Sequence, residues 1–289
     1  MFNFHFISFF RHLKWRTLKK TFARTIETRL LGLAAEIAFN TMLSLFPAII
    51  ALLTAIGLFA ESLRNTFIQL ATELSKIVPQ EAWILIRDFA TDEIANSKNS
   101  SLFSLSFVIT VWTASGAINT AMTALDQIQQ IHPKKMRPFW QAKLISLGLT
   151  IGTILLLMLA SFLVFISDLL LGIVVNNNTY LIFISHLWQF LRWPLALATV
   201  ATAFAFVYRY GPSKCKTNTP LIPGAILAAI FWAIVSAIFR LYVRNFGNYN
   251  KVYGAVGAVI VLMLWLWMSA FVLLVGYQLN VTVGEEMKN

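Results

Sequence analysis

The chain has 289 residues, of which 58% are hydrophobic and 12% charged, a balance that excludes a water-soluble globular protein. Its formal charge of +11 would point to nucleic acid in a soluble protein, but here the basic residues flank apolar segments, where they set topology and meet anionic lipid. The single cysteine, Cys215, excludes an intrachain disulfide, and His5, His12, His132 and His186 have no metal-ligand spacing, so no metal or cofactor is expected.

Residues 1–30 carry Arg11, Lys14, Arg16, Lys19, Lys20, Arg24 and Arg29 against a single acid, Glu27. Phe10, Leu13, Phe22, Ile26 and Leu30 recur at spacings compatible with one helix face. The pattern predicts an amphipathic helix on the inner membrane surface, with membrane lipids as its partner and its cations on anionic headgroups. A nucleic-acid arm would leave the apolar face without a purpose, so no nucleic-acid partner is expected. The next apolar run is longer than the 7–15-residue core of a cleavable signal, and reads as a retained span.

The first span is expected from Leu31 to Phe59 and contains AAEIAFNTMLSLFP, Ala34 to Pro47. Glu36, Asn40 and Ser44 stand four residues apart. Four residues turn a helix by about 400°, so they share a slowly drifting stripe. Pro47 lacks a backbone donor and permits a kink. A carboxylate at the bilayer centre costs at least ~2.5 kcal/mol. The stripe is therefore either a polar seam lining a cavity or interhelical hydrogen bonding near the cytoplasmic end. Residues 61–97 then read as an external helical hairpin: Leu63, Phe67, Leu70, Leu74 and Ile77 form one amphipathic face, and Pro79 opens a second helix. This hairpin offers a surface for an envelope protein partner.

The second span, Leu102 to Leu125, is rich in small residues, including Gly116, that let helices approach closely. Asn119 adds a polar group at depth, and Asp126 comes at the end, before Lys134, Lys135 and Arg137. The third span is Ala142 to Phe165, with a continuation beyond Asp168 as an outer helix left open. It is broken by NNNT at 176–179. The fourth is Trp193 to Tyr208, with Arg192 as an interfacial anchor and Arg209 at its end. The fifth is Pro223 to Phe239, with Gly224 and Ala228 as a small-residue pair, and the sixth is Ala255 to Val275, with Gly254 and Gly257 as packing positions. GYQLN and an acidic tail close the chain. The expectation is an all-α, polytopic membrane bundle of six transmembrane helices forming one domain over 1–289. With the N-terminus inside, 15 of the 23 Lys and Arg fall on the inner side, so both termini are expected to be cytoplasmic.

No P-loop, GxSxG, HExxH or Rossmann fingerprint occurs, and no catalytic residue is expected. The polar groups fall at two depths. Glu36, Asn40, Ser44, Asn119, Asp126, Arg137 and Arg209 lie toward the cytoplasmic side, where opposite charges can satisfy one another. Arg240, Tyr242, Arg244, Tyr249 and Tyr253 lie outside. They form either a site for an anionic or sugar-bearing group or an aromatic belt with snorkelling arginines.

Three stretches carry a family resemblance. AAEIAFNTMLSLFP resembles the first-span signature of the YihY/BrkB family of bacterial inner-membrane proteins. RPFWQAKLISLGLT resembles that family's basic entry to its third span. The stretch from Pro223 to Asn280 resembles its last two spans, including Gly224, Trp232, Tyr242, Tyr253, Gly254 and Trp265. The likeness covers roughly residues 10–282. Asp126 stands where the family usually has Asn, and Trp267 where it usually has Tyr. The resemblance implies six spans in the bacterial inner membrane and no defined reaction. A transfer-RNA ribonuclease label attached to some members finds no nuclease cluster or soluble catalytic domain in this sequence. The leading expectation is a non-enzymatic membrane protein that moves a small or lipid-like solute. The alternative is a structural or assembly protein of the cell envelope.

Overall fold

The computed structural model describes residues 9, 11–49, 100–174, 179–214, 220–245 and 249–287. The hairpin expected over 61–97 lies outside them, as does Cys215. The described residues form α1 (Trp15–Glu27), α2 (Leu30–Ile49), α3 (Ser100–Ile128), a 3-10 turn (Pro133–Lys135), α4 (Phe139–Val174), α5 (Thr179–Tyr210), α6 (Leu221–Asn245) and α7 (Tyr249–Glu286), with no strand among them. Among the described residues, five apolar stretches are long enough to cross a membrane: Leu30–Ile49, Ser104–Ile128, Phe139–Leu156, Leu221–Arg244 and Val256–Glu286. Pro194–Tyr210 is a shorter apolar helix.

Each helix from α3 to α7 packs on the next, and α7 returns to α3 and to α1. α2 joins this ring through Asn40, which bonds Thr120 of α3, and through its Leu31 carbonyl, which accepts the Trp267 indole N–H of α7 at 3.1 Å. The main core lies where α2 and α6 begin and α3, α5 and α7 end. Leu30, Ala34, Leu125, Tyr208, Leu274 and Tyr277 are buried in it. Away from it, large apolar side chains such as Phe107, Val108, Leu144, Ile238 and Val259 point outward. In a helix bundle of this hydropathy that outer surface faces acyl chains.

Several expected boundaries move, among them the ends of α4, at Val174 rather than Phe165, and of α6, at Asn245 rather than Phe239. α5 starts at Thr179 rather than Trp193, running through Pro194. A proline inside a helix removes one backbone bond but does not have to end it where neighbouring helices hold the rest. α7 starts at Tyr249 rather than Ala255 and continues to Glu286 instead of ending near Val275. GYQLN is polar, yet Tyr277, Gln278 and Asn280 are fully buried, because α1 and the start of α6 cover them. At 38 residues, α7 is ~57 Å long by the helical rise, about twice a ~30 Å hydrocarbon core, so it must project beyond it. Pro47 stands two residues before Ile49, the last described residue of α2, and the bond from Ile49 onward is outside the described chain.

Of the apolar face expected for the N-terminal segment, Leu13 and Leu30 turn inward while Phe22 and Ile26 stay exposed. Leu30 is buried in the main core, and Leu13 packs with Phe9, Leu279 and Val283. The residues that buttress α1 are threonines. Thr17, Thr21 and Thr25, one every four residues, are buried. Each hydroxyl donates to a main-chain carbonyl, of His12, Thr17 and Thr21 respectively, at 2.8–2.9 Å. Their polarity is thereby satisfied locally, leaving methyl groups to meet neighbours. Beside them Lys20 reaches Glu286 at 2.8 Å, and Arg24 reaches Glu285 at 2.7 Å. α1 and the last turn of α7 therefore lie at one end of the bundle.

Candidate functional site

The polar stripe of α2 does not form a continuous seam. Ser44 is buried, and its hydroxyl returns to the Thr41 carbonyl at 2.6 Å. Asn40, half-buried, donates from Nδ2 to the Glu36 carbonyl at 3.0 Å and to Thr120 Oγ1 at 3.1 Å. It therefore ties α2 to α3. Gly116 faces it, but a methyl added there would sit 3.6 Å from Asn40 Oδ1, an ordinary contact. Close packing thus does not require glycine at 116. Asn119 is half-buried, and no side-chain hydrogen bond brings it to Glu36.

Glu36 is different. It lines a cleft of 330 Å³ with Glu27, Thr28, Arg29, Gly32, Leu33 and Gln127. The turn from α1 into α2 forms one wall and the end of α3 the other. Arg29 holds this turn with φ 52°, and its N–H donates to Ile26 at 3.0 Å. Such a left-handed residue costs about 1–2 kcal/mol unless it is glycine. Among the described residues, no ion pair reaches Glu36.

The other charges at this level form a separate knot. Asp126, buried, accepts the Ser213 N–H at 2.6 Å on Oδ1 and the Ser213 hydroxyl at 2.5 Å on Oδ2. Arg137 donates to the carbonyls of Tyr210 (3.1 Å), Gly211 (2.8 Å) and Pro212 (2.8 Å), and its N–H reaches Ser213 Oγ at 3.1 Å. A guanidinium at the carbonyl end of α5 satisfies groups the helix leaves open and meets the negative end of its dipole. Opposite charges at this level are therefore joined through Ser213 and main-chain carbonyls, not with Glu36. Arg209 is exposed.

On the far side, Arg240, Tyr242 and Arg244 are exposed, and Tyr242 stacks on Phe239 with centroids 6.1 Å apart. Tyr249, Tyr253 and Gly254 belong to the first turns of α7, whose side chains are not described, and Gly257 is buried. The α6–α7 contact is close where small residues allow it. A methyl on Gly224 would fall 2.0 Å from Asn280 Oδ1, and one on Gly276 would fall 2.5 Å from the Ala228 methyl.

Sequence reasoning missed three polar positions. Lys143 is buried against α3, donating to Ser115 Oγ at 2.6 Å and the Trp112 carbonyl at 3.1 Å, with its ammonium 4.2 Å from the Trp112 ring centre. A lysine in the first two turns of an apolar helix reads as a topology marker, and nothing local discloses its partners on α3. Gln129 donates to the Tyr277 hydroxyl, and Asn280 Nδ2 donates to the Leu221 carbonyl at 3.1 Å. Both lie past the expected ends of their spans. Among the described residues, no three His, Cys, Asp or Glu converge to hold a metal.

A family model described as "Virulence factor BrkB" matches residues 21–289. The putative ribonuclease-like protein YfkH of Bacillus subtilis is 28% identical over 280 residues, covering 94% of this chain and 96% of that protein. A UPF0761 membrane protein of Alteromonas mediterranea is 26% identical, covering 89% of this chain and 83% of its own. Another, from Haemophilus influenzae, is 24% identical, with coverages of 91% and 93%. No solved structure matches.

Proposed function

This chain belongs to the virulence factor BrkB family, and on that footing we propose that it is a non-catalytic membrane protein that moves, or helps to move, a small or lipid-like solute. The observation that carries the proposal is the Glu36 carboxylate, open to the 330 Å³ cleft and without an ion pair among the described residues. An ionisable group at the mouth of a membrane-spanning helix is a functional candidate by default, because its desolvation is costly and it needs water or a ligand to face. At ~30 Å³ per water, the cleft accommodates roughly ten waters or one small polar headgroup. Glu27, Thr28 and Gln127 add acceptors, and Arg29 supplies one cation. In this reading the cleft is a vestibule on the cytoplasmic face of a bacterial inner membrane, with both termini on that side. The concentration of Lys and Arg toward that side supports this. Arg240, Tyr242 and Arg244 then mark the opposite interface.

The test compares a deletion strain with strains carrying the wild-type chain or Glu36→Gln, by untargeted metabolite and lipid profiling. Gln keeps the shape and removes the charge. A Glu36→Gln profile that matches the deletion, with unchanged protein abundance and melting temperature, is the expected result. Full complementation by Glu36→Gln sinks the vestibule reading. It would leave an envelope-assembly role as the better account.

A further inference from the structure

One face of α1 meets no other part of the described protein. Trp15 is 81% exposed, Leu18 42%, Phe22 67% and Ile26 60%. At 100° per residue these four fall within about 80° of arc, a continuous apolar ridge along the helix. The neighbouring arc on one side is the buried threonine face, Thr17, Thr21 and Thr25. On the other side come Lys19 and then Arg16, both exposed. Lys20 and Arg24 lie further round, where Glu286 and Glu285 pair with them. The cations of α1 are thus divided: Lys20 and Arg24 are held by the end of α7, Lys19 borders the apolar ridge, and Arg16 lies between Lys19 and Lys20, its charge also felt by Glu286.

Position selects what covers the ridge. Only Thr28 and Arg29 separate α1 from α2, whose Leu30–Ile49 stretch is long and apolar enough to cross a membrane. α1 is therefore pinned within one turn of the level where the chain enters the bilayer. Its threonine face is fixed by burial and its charged face by the carboxylates of α7. The remaining arc holds aromatic and aliphatic side chains, with Lys19 at its rim and Arg16 beyond. An arc with that order of chemistry matches, from within outward, acyl chains and then phosphate groups.

We propose that α1 lies in the membrane interface, with Trp15, Leu18, Phe22 and Ile26 in the upper acyl region of an anionic phospholipid leaflet and Lys19 and Arg16 on its phosphate groups. The helix is then a collar beside the cleft that contains Glu36, holding that mouth at the depth of the headgroups. The ridge is a lipid contact that stands whether or not a solute passes through the cleft.

The test uses the full-length protein in a Cys215→Ser background, with a nitroxide at Phe22→Cys. A second label at Lys135→Cys, in the exposed 3-10 turn, is the reference. Both positions are exposed, so labelling leaves the fold intact. Collision rates with oxygen and with a water-soluble nickel chelate are measured in vesicles. One set is pure phosphatidylcholine, and the other contains phosphatidylglycerol. In the anionic vesicles the Phe22 label should collide with nickel at least about fivefold less than the reference, as expected for burial of 5–10 Å below the headgroup surface. Arg16→Gln with Lys19→Gln should remove the difference between the two lipid compositions. A Phe22 label as accessible to nickel as the reference overturns the proposal. So does shielding indifferent to lipid charge. Shielding found only in native membranes, and absent from both vesicle types, also overturns it by assigning the ridge to a protein partner.

Discussion

Gly224→Ala is expected to be strongly destabilising, although it is the mildest substitution a glycine can undergo. The new methyl would sit 2.0 Å from Asn280 Oδ1, 2.3 Å from its Cγ and 2.5 Å from its Nδ2. Asn280 is fully buried and cannot swing out to solvent. Its Nδ2 is also committed to the Leu221 carbonyl at 3.1 Å. Overpacking of this kind costs about 1–3 kcal/mol. Displacing the amide leaves a buried donor and acceptor unmade, for a further 1–3 kcal/mol or so. The sum, about 2–6 kcal/mol, is far larger than the effect expected at Gly116. There the methyl meets Asn40 Oδ1 at an ordinary 3.6 Å, and the helix-propensity gain of up to ~1 kcal/mol leaves the variant neutral or slightly more stable. The assay is reversible unfolding in mixed micelles for Gly224→Ala, Gly116→Ala, Asn280→Ala and the double variant Gly224→Ala with Asn280→Ala. With the Asn280 side chain gone the methyl has room, so the two substitutions should couple by about 1–3 kcal/mol, with the double variant more stable than additivity allows. A Gly224→Ala protein as stable as the parent refutes the reasoning, as does a strictly additive double variant.

Asp126→Asn should cost about 1–3 kcal/mol, because an amide offers one acceptor oxygen where the two carboxylate oxygens now take the Ser213 N–H and hydroxyl separately. The same unfolding assay reads it, and Ser213→Ala in the Asp126→Asn background should add less than it does alone. Gln130, two residues past the end of α3, has φ 56°, and its N–H and that of Ile131 close on the carbonyls of Gln127 and Asp126. Glycine tolerates that conformation, so Gln130→Gly should gain up to about 1 kcal/mol once its greater unfolded-state freedom is deducted. A loss of stability would show that the Gln130 side chain has a role its backbone does not reveal.

The apolar runs were legible because a membrane span is a matter of length and composition, and α2, α3, α4, α6 and α7 stand where those runs stand. The end of α7 was not legible. Tyr277, Gln278 and Asn280 look like a polar exit from the bilayer, and only a neighbour distant in sequence makes them interior. The Gly224–Ala228 pair could be read as a close approach, but its partners Gly276 and Asn280 could not, since spacing names one face and not the facing one. For the site, the fourfold spacing of Glu36, Asn40 and Ser44 was visible. Its division among a cleft, an interhelical bond and a local hydroxyl–carbonyl bond depended on α3. The pairing of Asp126 with Ser213 joins residues 87 positions apart, and no local pattern foretells it. In α1 the aromatic residues drew the eye, while the T-x-x-x-T-x-x-x-T repeat carried the packing.

The Lys20–Glu286 pair spans 266 positions, and that separation has a meaning in time. At synthesis rates of about 5–20 residues per second, roughly 13–53 s pass between the appearance of one partner and the other. For that interval the threonine face of the first helix has no counterpart, and Lys20 and Arg24 have no carboxylates. α1 is thus latched by the last turn of α7, which is made long after it. A chain interrupted anywhere in the final helix would leave its N-terminal segment unlatched and open to proteases. A chain that reaches Glu285 and Glu286 closes that segment, so the contact distinguishes it from a chain that stops short of them.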